Sequence, residues 1–309
     1  RHPRILSGIG TRTMGIRLSD KPGDTAATLI PSVGCPMGCN FCDVPKVGPG
    51  RNASRADLTS QVLAAISIHP EVVATKRLNV HYARMGEPTF NRQVLAHARG
   101  LMNEVRPHIN RSHVHPVVST MMPMKNKHLC WFLQEWCEIK NDVFRGAAGL
   151  QLSINSTSDE QRDYLFGGSA LPLKEISEIG KMLPRPRGRK YALNFAISDA
   201  TIIDAELLAA LFNPRSFMVK ITPIHATAAT SQNGISTTGG YSTYTPYRNV
   251  ERDLIEAGFD VLVFVPSDDE DRGRITCGNA ILSGSSPLCK YTELSPRIIE
   301  MADALEGGE

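Results

Sequence analysis

Seven short apolar runs, each followed by a stretch of helical periodicity, constrain the fold of this chain more than any other feature. Runs such as "ALNFAI", "FMVKIT" and "DVLVFV" are rich in β-branched and aromatic residues, as buried strands are. The pattern predicts strands over residues 25–30, 78–83, 114–120, 149–155, 191–197, 217–223 and 260–265. Helices are predicted over 60–68, 92–105, 125–139, 173–182, 204–212 and 247–257. Such alternation implies parallel strands joined by helical crossovers. Six or more units favour an α/β barrel or partial barrel over a flat sheet. Chemistry in such folds sits at the C-terminal ends of the strands.

The 309 residues suit one large domain or two small ones, and there is no internal repeat. A hydrophobic content of 41% and a charged content of 21% are ordinary for a soluble globular protein. A net charge of +3 does not by itself imply nucleic-acid binding. No apolar run approaches the length of a membrane span, and no secretory signal opens the chain. The first residue is Arg1 rather than Met, which fits a trimmed N-terminus. Seven unevenly spaced cysteines do not form a disulfide framework, so reduced thiols in a cytoplasmic protein are expected.

Three of those cysteines crowd into "SVGCPMGCNFCDVPK", just after the first predicted strand. Cys35, Cys39 and Cys42 on one loop can turn inward to hold one soft metal centre. Zinc wants four ligands, usually as two pairs, and no second pair is near. Three thiolates without a local fourth suit a [4Fe–4S] cluster whose last iron stays open. The alternative is three unrelated buried thiols, although Gly34, Pro36 and Gly38 make a tight loop that packing alone does not require.

The spacing, with Phe41 just before the last cysteine, resembles the motif of the radical S-adenosylmethionine (SAM) enzymes. Within that superfamily the chain is similar to the RlmN/Cfr adenosine methyltransferases from about residue 25 to residue 282. "ARMGEPTFN" resembles their G-x-G-E-P stretch, with Arg84 in place of a glycine. "VVSTMMP" resembles their serine turn and "LQLSINSTSDEQRDYL" their fourth-strand segment. "PSDDEDRGRITCGNA" resembles the segment that ends in Cys-Gly. The resemblance implies a partial (β/α)6 TIM-like barrel over residues 25–285, with an N-terminal extension (1–24) and a C-terminal tail (286–309). It implies Cys35, Cys39 and Cys42 as cluster ligands. It implies SAM contacts from Phe41, Gly86, Glu87 (to the ammonium), Ser119 (to the carboxylate) and Ser153. Cys277 falls on the cysteine that carries a methyl group in that family. An external electron donor such as flavodoxin or ferredoxin is also implied.

Three departures stand out. The family has a second catalytic cysteine seven residues before the triplet, where this chain has Thr28. Threonine is neither acidic nor redox-active at neutral pH, so it cannot deprotonate an adduct or resolve it as a disulfide. An asparagine that contacts SAM is replaced by His225, which can donate to a ribose hydroxyl or act as an acid or base. The family has an N-terminal RNA-binding domain where only about 24 residues precede the first predicted strand here; a trimmed N-terminus accounts for this, and otherwise a folded RNA target is disfavoured.

Other segments are less specific. Cys130 and Cys137 lie with Leu133 on an apolar helix face, and Cys289 has no supporting context. The basic run "PRPRGRK" is expected to be a solvated loop on the barrel face away from the chemistry. Residues 227–247, with Tyr241, Tyr244 and Tyr247 and no Lys or Arg, read as a recognition loop for a small molecule or peptide, or as a plain loop. "SDDEDRGR" is expected to order the Cys277 loop through acid–Arg pairs. The expected function is SAM cleavage to a 5′-deoxyadenosyl radical, with methyl or methylene transfer through Cys277 to a small-molecule, nucleoside or peptide substrate. The alternatives are direct hydrogen abstraction without a methyl carrier, RNA adenosine methylation, and a metal-stabilised binding module without catalysis.

Overall fold

A computed structural model describes residues 4–8, 11–18, 24–68, 70–109, 113–238 and 247–264. In chain order the elements are β1 (Arg4–Gly8), β2 (Thr11–Leu18), β3 (Asp24–Leu29), β4 (Ser32–Val33), β5 (Arg51–Asn52), α1 (Arg55–Ile68), β6 (Arg77–Tyr82) and α2 (Arg92–Val105). There follow β7 (His113–Thr120), α3 (Leu129–Glu138), β8 (Gly149–Ser153), α4 (Asp159–Phe166), α5 (Leu173–Met182) and β9 (Tyr191–Ile197). The last are α6 (Ala205–Leu211), β10 (Phe217–Pro223), α7 (Ala228–Gln232), α8 (Arg248–Glu256) and β11 (Val261–Val263).

The main sheet runs β1-β2-β3-β6-β7-β8-β9-β10-β11. From β3 to β11 every pair is parallel. The order never reverses. Right-handed crossovers therefore all fall on one face, and the sheet is a TIM-like partial barrel rather than a doubly wound sheet. Strand burial follows. Leu78, Val80 and Tyr82 of β6 are buried, whereas Arg77, Asn79 and His81 on the other face are half-buried. Strand β10 repeats this, with Phe217, Val219 and Ile221 buried and Met218, Lys220 and Thr222 half-buried. The alternate set faces the barrel interior, and it is largely polar.

The N-terminal extension is not a featureless tail. Strands β1 and β2 form an antiparallel hairpin that continues the sheet through β2·β3 pairing, with Gly15 opposite Thr28. Helix α1 starts earlier than its apolar run suggests. Ser54 Oγ accepts from the Asp57 N–H at 3.0 Å, and Asp57 accepts from the Ser54 N–H at 2.8 Å, a reciprocal cap. Helix α4, not anticipated from the sequence, is capped by Ser158 and ended by Gly167 at φ 58°. No helix among the described residues is long and apolar enough to cross a membrane.

A buried polar network fixes α1 and α2 behind β6. Tyr82 Oη and His97 Nδ1 are 2.6 Å apart, and His97 Nε2 lies 3.1 Å from Glu104. Glu104 also accepts from Arg55 and Thr59, each at 2.9 Å. Burial alone would push the Glu104 carboxyl up, but these partners outweigh it and hold it down at about 2. A depressed carboxylate stabilises the fold above its ordinary titration range and loses that contribution as it is protonated. Glu104→Gln is therefore expected to cost about 1–3 kcal/mol at neutral pH. In denaturation midpoints measured against pH, the gap to wild type should shrink as pH falls from 4.5 toward about 2. A gap that persists at the acid end contradicts the network.

Candidate functional site

The triplet loop is closed at its base by a two-residue ladder. Ser32 and Val33 of β4 pair with Asn52 and Arg51 of β5. Gly50 sits at φ 64°, and a Cβ there would lie 1.3 Å from the Val33 carbonyl oxygen, so only glycine fits. Within the loop the Cys35 N–H donates to Gly48 O at 2.9 Å and the Cys42 N–H to Cys39 O at 3.2 Å. All three thiols are half-buried. Burial pushes the Cys35 thiol up to about 11; the N–H of Met37 opposes this, the Glu87 charge adds to it, and the Gly86 N–H opposes it. Two backbone donors thus already face this sulfur. Cys39 Sγ is 3.7 Å from Met121 Sδ, in an apolar cluster with Met37, Phe41 and Phe90.

Among the described residues no three His, Cys, Asp or Glu side chains converge on the position of a single metal ion. A [4Fe–4S] cluster, if bound, would be held by Cys35, Cys39 and Cys42. The all-thiol donor set and the backbone donors on Cys35 fit that group.

The loop after β6 comes next to it. Gly86 (φ 88°) is a second position where only glycine fits, because a Cβ would lie 1.8 Å from Ser32 Oγ. Arg84 holds φ 74° between the Ala83 carbonyl and the Met85 N–H, which bond at 3.0 Å across it. This is a strained γ-turn-like step, taken where the family motif has glycine. Glu87 is buried and ties two strand ends together. It accepts from the Thr89 N–H (3.1 Å) and hydroxyl (2.8 Å), and from the Met121 N–H just beyond β7 (2.9 Å). Burial raises its carboxyl, and these bonds oppose the rise. The Thr120 side chain adds a further bond, so the carboxylate is fully engaged within the fold.

The remaining expected residues lie around the same end. Ser119 Oγ is 3.4 Å from Gln151 Oε1 on the neighbouring strand. Ser153 ends β8, in register with Asn194, which is in register with Lys220. His225 is half-buried in the turn between β10 and α7. Phe41 packs edge-on against Phe166, with centroids 5.7 Å apart. Thr28 is in register with His81. Cys35 thus lies beside Gly86 and Glu87, and Met121 touches both Glu87 and Cys39, while Ser119 and Ser153 line the adjoining interior. Cys277, Cys289, Tyr241, Tyr244 and the "SDDEDRGR" segment lie outside the described residues; Tyr247 is buried in the core.

Sequence reasoning missed Asp43. Its carboxylate, 3% exposed, accepts the N–H groups of Ala228 (3.1 Å) and Ala229 (2.8 Å) at the start of α7, and Lys46 Nζ at 3.2 Å. Thr227 caps the same helix and donates to Phe41 O at 3.0 Å. Asn233 donates to Asn40 O at 2.9 Å. The front half of the expected recognition loop is thereby clasped to the cysteine loop. The available signal was a carboxylate directly after Cys42, opposite a Thr-x-x-Thr cap. Asp43→Ala is expected to abolish amide-exchange protection at Ala228 and Ala229 and to cost about 1.5–3 kcal/mol. Unchanged protection at both amides contradicts the clasp.

No protein-family model matches the chain. It is 29% identical over 204 residues to the dual-specificity RNA methyltransferase RlmN of Anaeromyxobacter sp. (strain Fw109-5), covering 63% of this chain and 50% of that protein. It is 26% identical over 259 residues to RlmN of Sorangium cellulosum (strain So ce56), covering 82% and 61%. The chain spans about half the length of the first of these relatives. In fold it is similar to a radical SAM methyltransferase from Sphaerobacter thermophilus, with a TM-score of 0.60 and 21% identity over 86% of this chain and 72% of that one. It is also similar to Streptococcus suis SuiB bound to precursor peptide SuiA, with a TM-score of 0.50 and 14% identity over 79% and 49%. By sequence the chain is RlmN-like, and its fold is that of the radical SAM superfamily.

Proposed function

We propose that the chain is a radical SAM enzyme in which Cys35, Cys39 and Cys42 hold a [4Fe–4S] cluster. The observation that carries this reading is the triplet loop itself, built on obligate glycines at the C-terminal end of a singly wound barrel. When bound, the cluster supplies the electron that cleaves SAM to methionine and a 5′-deoxyadenosyl radical. The chain's residues supply position. Gly86 lets its backbone approach the site closely, and Glu87 would accept from the SAM ammonium in exchange for one of its hydroxyl donors. Ser119 and Ser153 present hydroxyls from the interior face, and His225 and Phe41 bound the mouth. The apolar cluster of Met37, Met121 and Phe166 excludes water beside Cys39. Cys277 is the proposed methyl carrier, its thiolate being the nucleophile that a polar methyl transfer needs.

The substrate class is a small molecule, nucleoside or peptide, and an external flavodoxin- or ferredoxin-type donor supplies electrons. Thr28 favours a second reading, in which the radical takes a substrate hydrogen directly. This position is in register with an imidazole, His81, rather than carrying a thiol.

Anaerobically reconstituted protein is expected to hold about four irons per chain and to release 5′-deoxyadenosine from SAM with a reductant. Cys35→Ala, Cys39→Ala and Cys42→Ala should each lose both properties. A colourless protein with one zinc contradicts the radical reading. Intact-mass analysis after turnover separates the two chemistries: a methylated Cys277 supports the carrier, and an unmodified Cys277 supports direct abstraction.

A further inference from the structure

The opposite end of the barrel carries basic side chains that the proposed reaction does not use. Arg77 and His113 open β6 and β7 as register partners, and Asn79 and His115 form a pair two residues on. Residues two apart share a face, so all four lie on the interior side. Arg77 Nε donates to Asn79 Oδ1 at 3.1 Å. The His113 and His115 rings meet edge to face, 6.4 Å apart.

Arg189 joins them from the basic loop before β9. Its Nη1 lies 3.4 Å from the position a Cβ would take on Gly149, the first residue of β8. The loop is anchored, not loose. Asn141 Oδ1 accepts from the Arg187 N–H at 2.9 Å, Lys140 Nζ donates to Arg187 O, and the Arg189 N–H donates to Gly146 O at 3.1 Å. The segment expected to be a plain solvated loop therefore delivers one guanidinium into the barrel end.

Basic side chains predominate in this group, and the one acidic register neighbour of Arg77 is Asp24 of β3. Asp142 pairs with Arg187 at 3.4 Å and Asp260 with Lys190 at 2.7 Å, and Arg189 Nη1 donates to Ala147 O at 3.5 Å. His115 Nδ1 is buried with no hydrogen-bond partner. Burial, then Arg77, Arg189 and His113, push its imidazole down to about 4, against a ring bond to the Ala147 backbone. Arg189 is itself lowered, by burial and then by Arg77. A bound anion would relieve each of these repulsions. Two guanidinium forks and an orphan ring nitrogen, converging from three elements, match an acceptor with several oxygens better than a single carboxylate.

We propose that Arg77, His113, His115 and Arg189 form a binding site for a phosphate-type oxyanion at the N-terminal end of the barrel. The oxyanion is either a free monophosphate or a phosphodiester of a polynucleotide. The inference does not depend on the proposed reaction at the other end.

The test is calorimetric titration of the full chain with inorganic phosphate, at constant ionic strength in chloride, with a short single-stranded RNA as a second titrant. Wild type is expected to bind phosphate saturably at one site, and Arg77→Gln/Arg189→Gln to bind it at least tenfold more weakly. By NMR, the His115 imidazole should titrate at higher pH with phosphate present. If the double variant does not fold, Arg189→Lys, which keeps charge but not the fork, should still lose most of the affinity. RNA that binds tightly and is displaced by phosphate identifies a polynucleotide source; phosphate binding without RNA binding identifies a free phosphate. No saturable phosphate binding by wild type, or equal binding by the folded variants, overturns the proposal.

Discussion

One buried carboxylate joins the two parts of the sheet that the mouth depends on. Strand β3 feeds the cysteine loop and β10 feeds α7, with β6, β7, β8 and β9 between them in the sheet. A partial barrel has no ladder to bring those ends together. Asp43 does so, because a buried carboxylate needs donors and the first turn of α7 has N–H groups without intrahelical partners. Thr227 and Asn233 add neutral bonds to Phe41 and Asn40. The triplet is thereby held from both sides, by β4·β5 at its base and by α7 at its rim.

A second carboxylate sets the wall beside it. Glu87 draws together the turn after β6 and the backbone just past β7, and this brings Met121 against Cys39. Local strain accompanies the arrangement. Arg84, Met122 and Asn155 all hold positive φ, each two residues past the end of β6, β7 or β8. Such conformations persist only where the surroundings determine them, and they gather at functional sites. Asn155 is the easiest to account for, since its side chain accepts from the Ala196 N–H at 3.0 Å.

Much of this was legible in the sequence because it rests on local pattern. β9, β10, α2 and α5 follow directly from apolar period and turn residues, and the triplet announces itself by spacing. What was not legible rests on distance or on polarity within an apolar run. The β1·β2 hairpin precedes the first strand that the apolar pattern predicts. His81, Asn194 and Lys220 look like interruptions in their strands until register places them on one interior face. Asp43 and Ala229 are far apart in the chain, and no local rule pairs them. Cys277, the proposed methyl carrier, lies outside the described residues.

The central claim is that the triplet holds a cluster with one iron open to SAM. Electron paramagnetic resonance of the reconstituted, reduced protein tests it most directly. The account predicts a [4Fe–4S]+ signal whose g-values shift when SAM is added, and a shift that weakens in Glu87→Ala with the signal itself retained. A cluster signal indifferent to SAM at saturating concentration would contradict it.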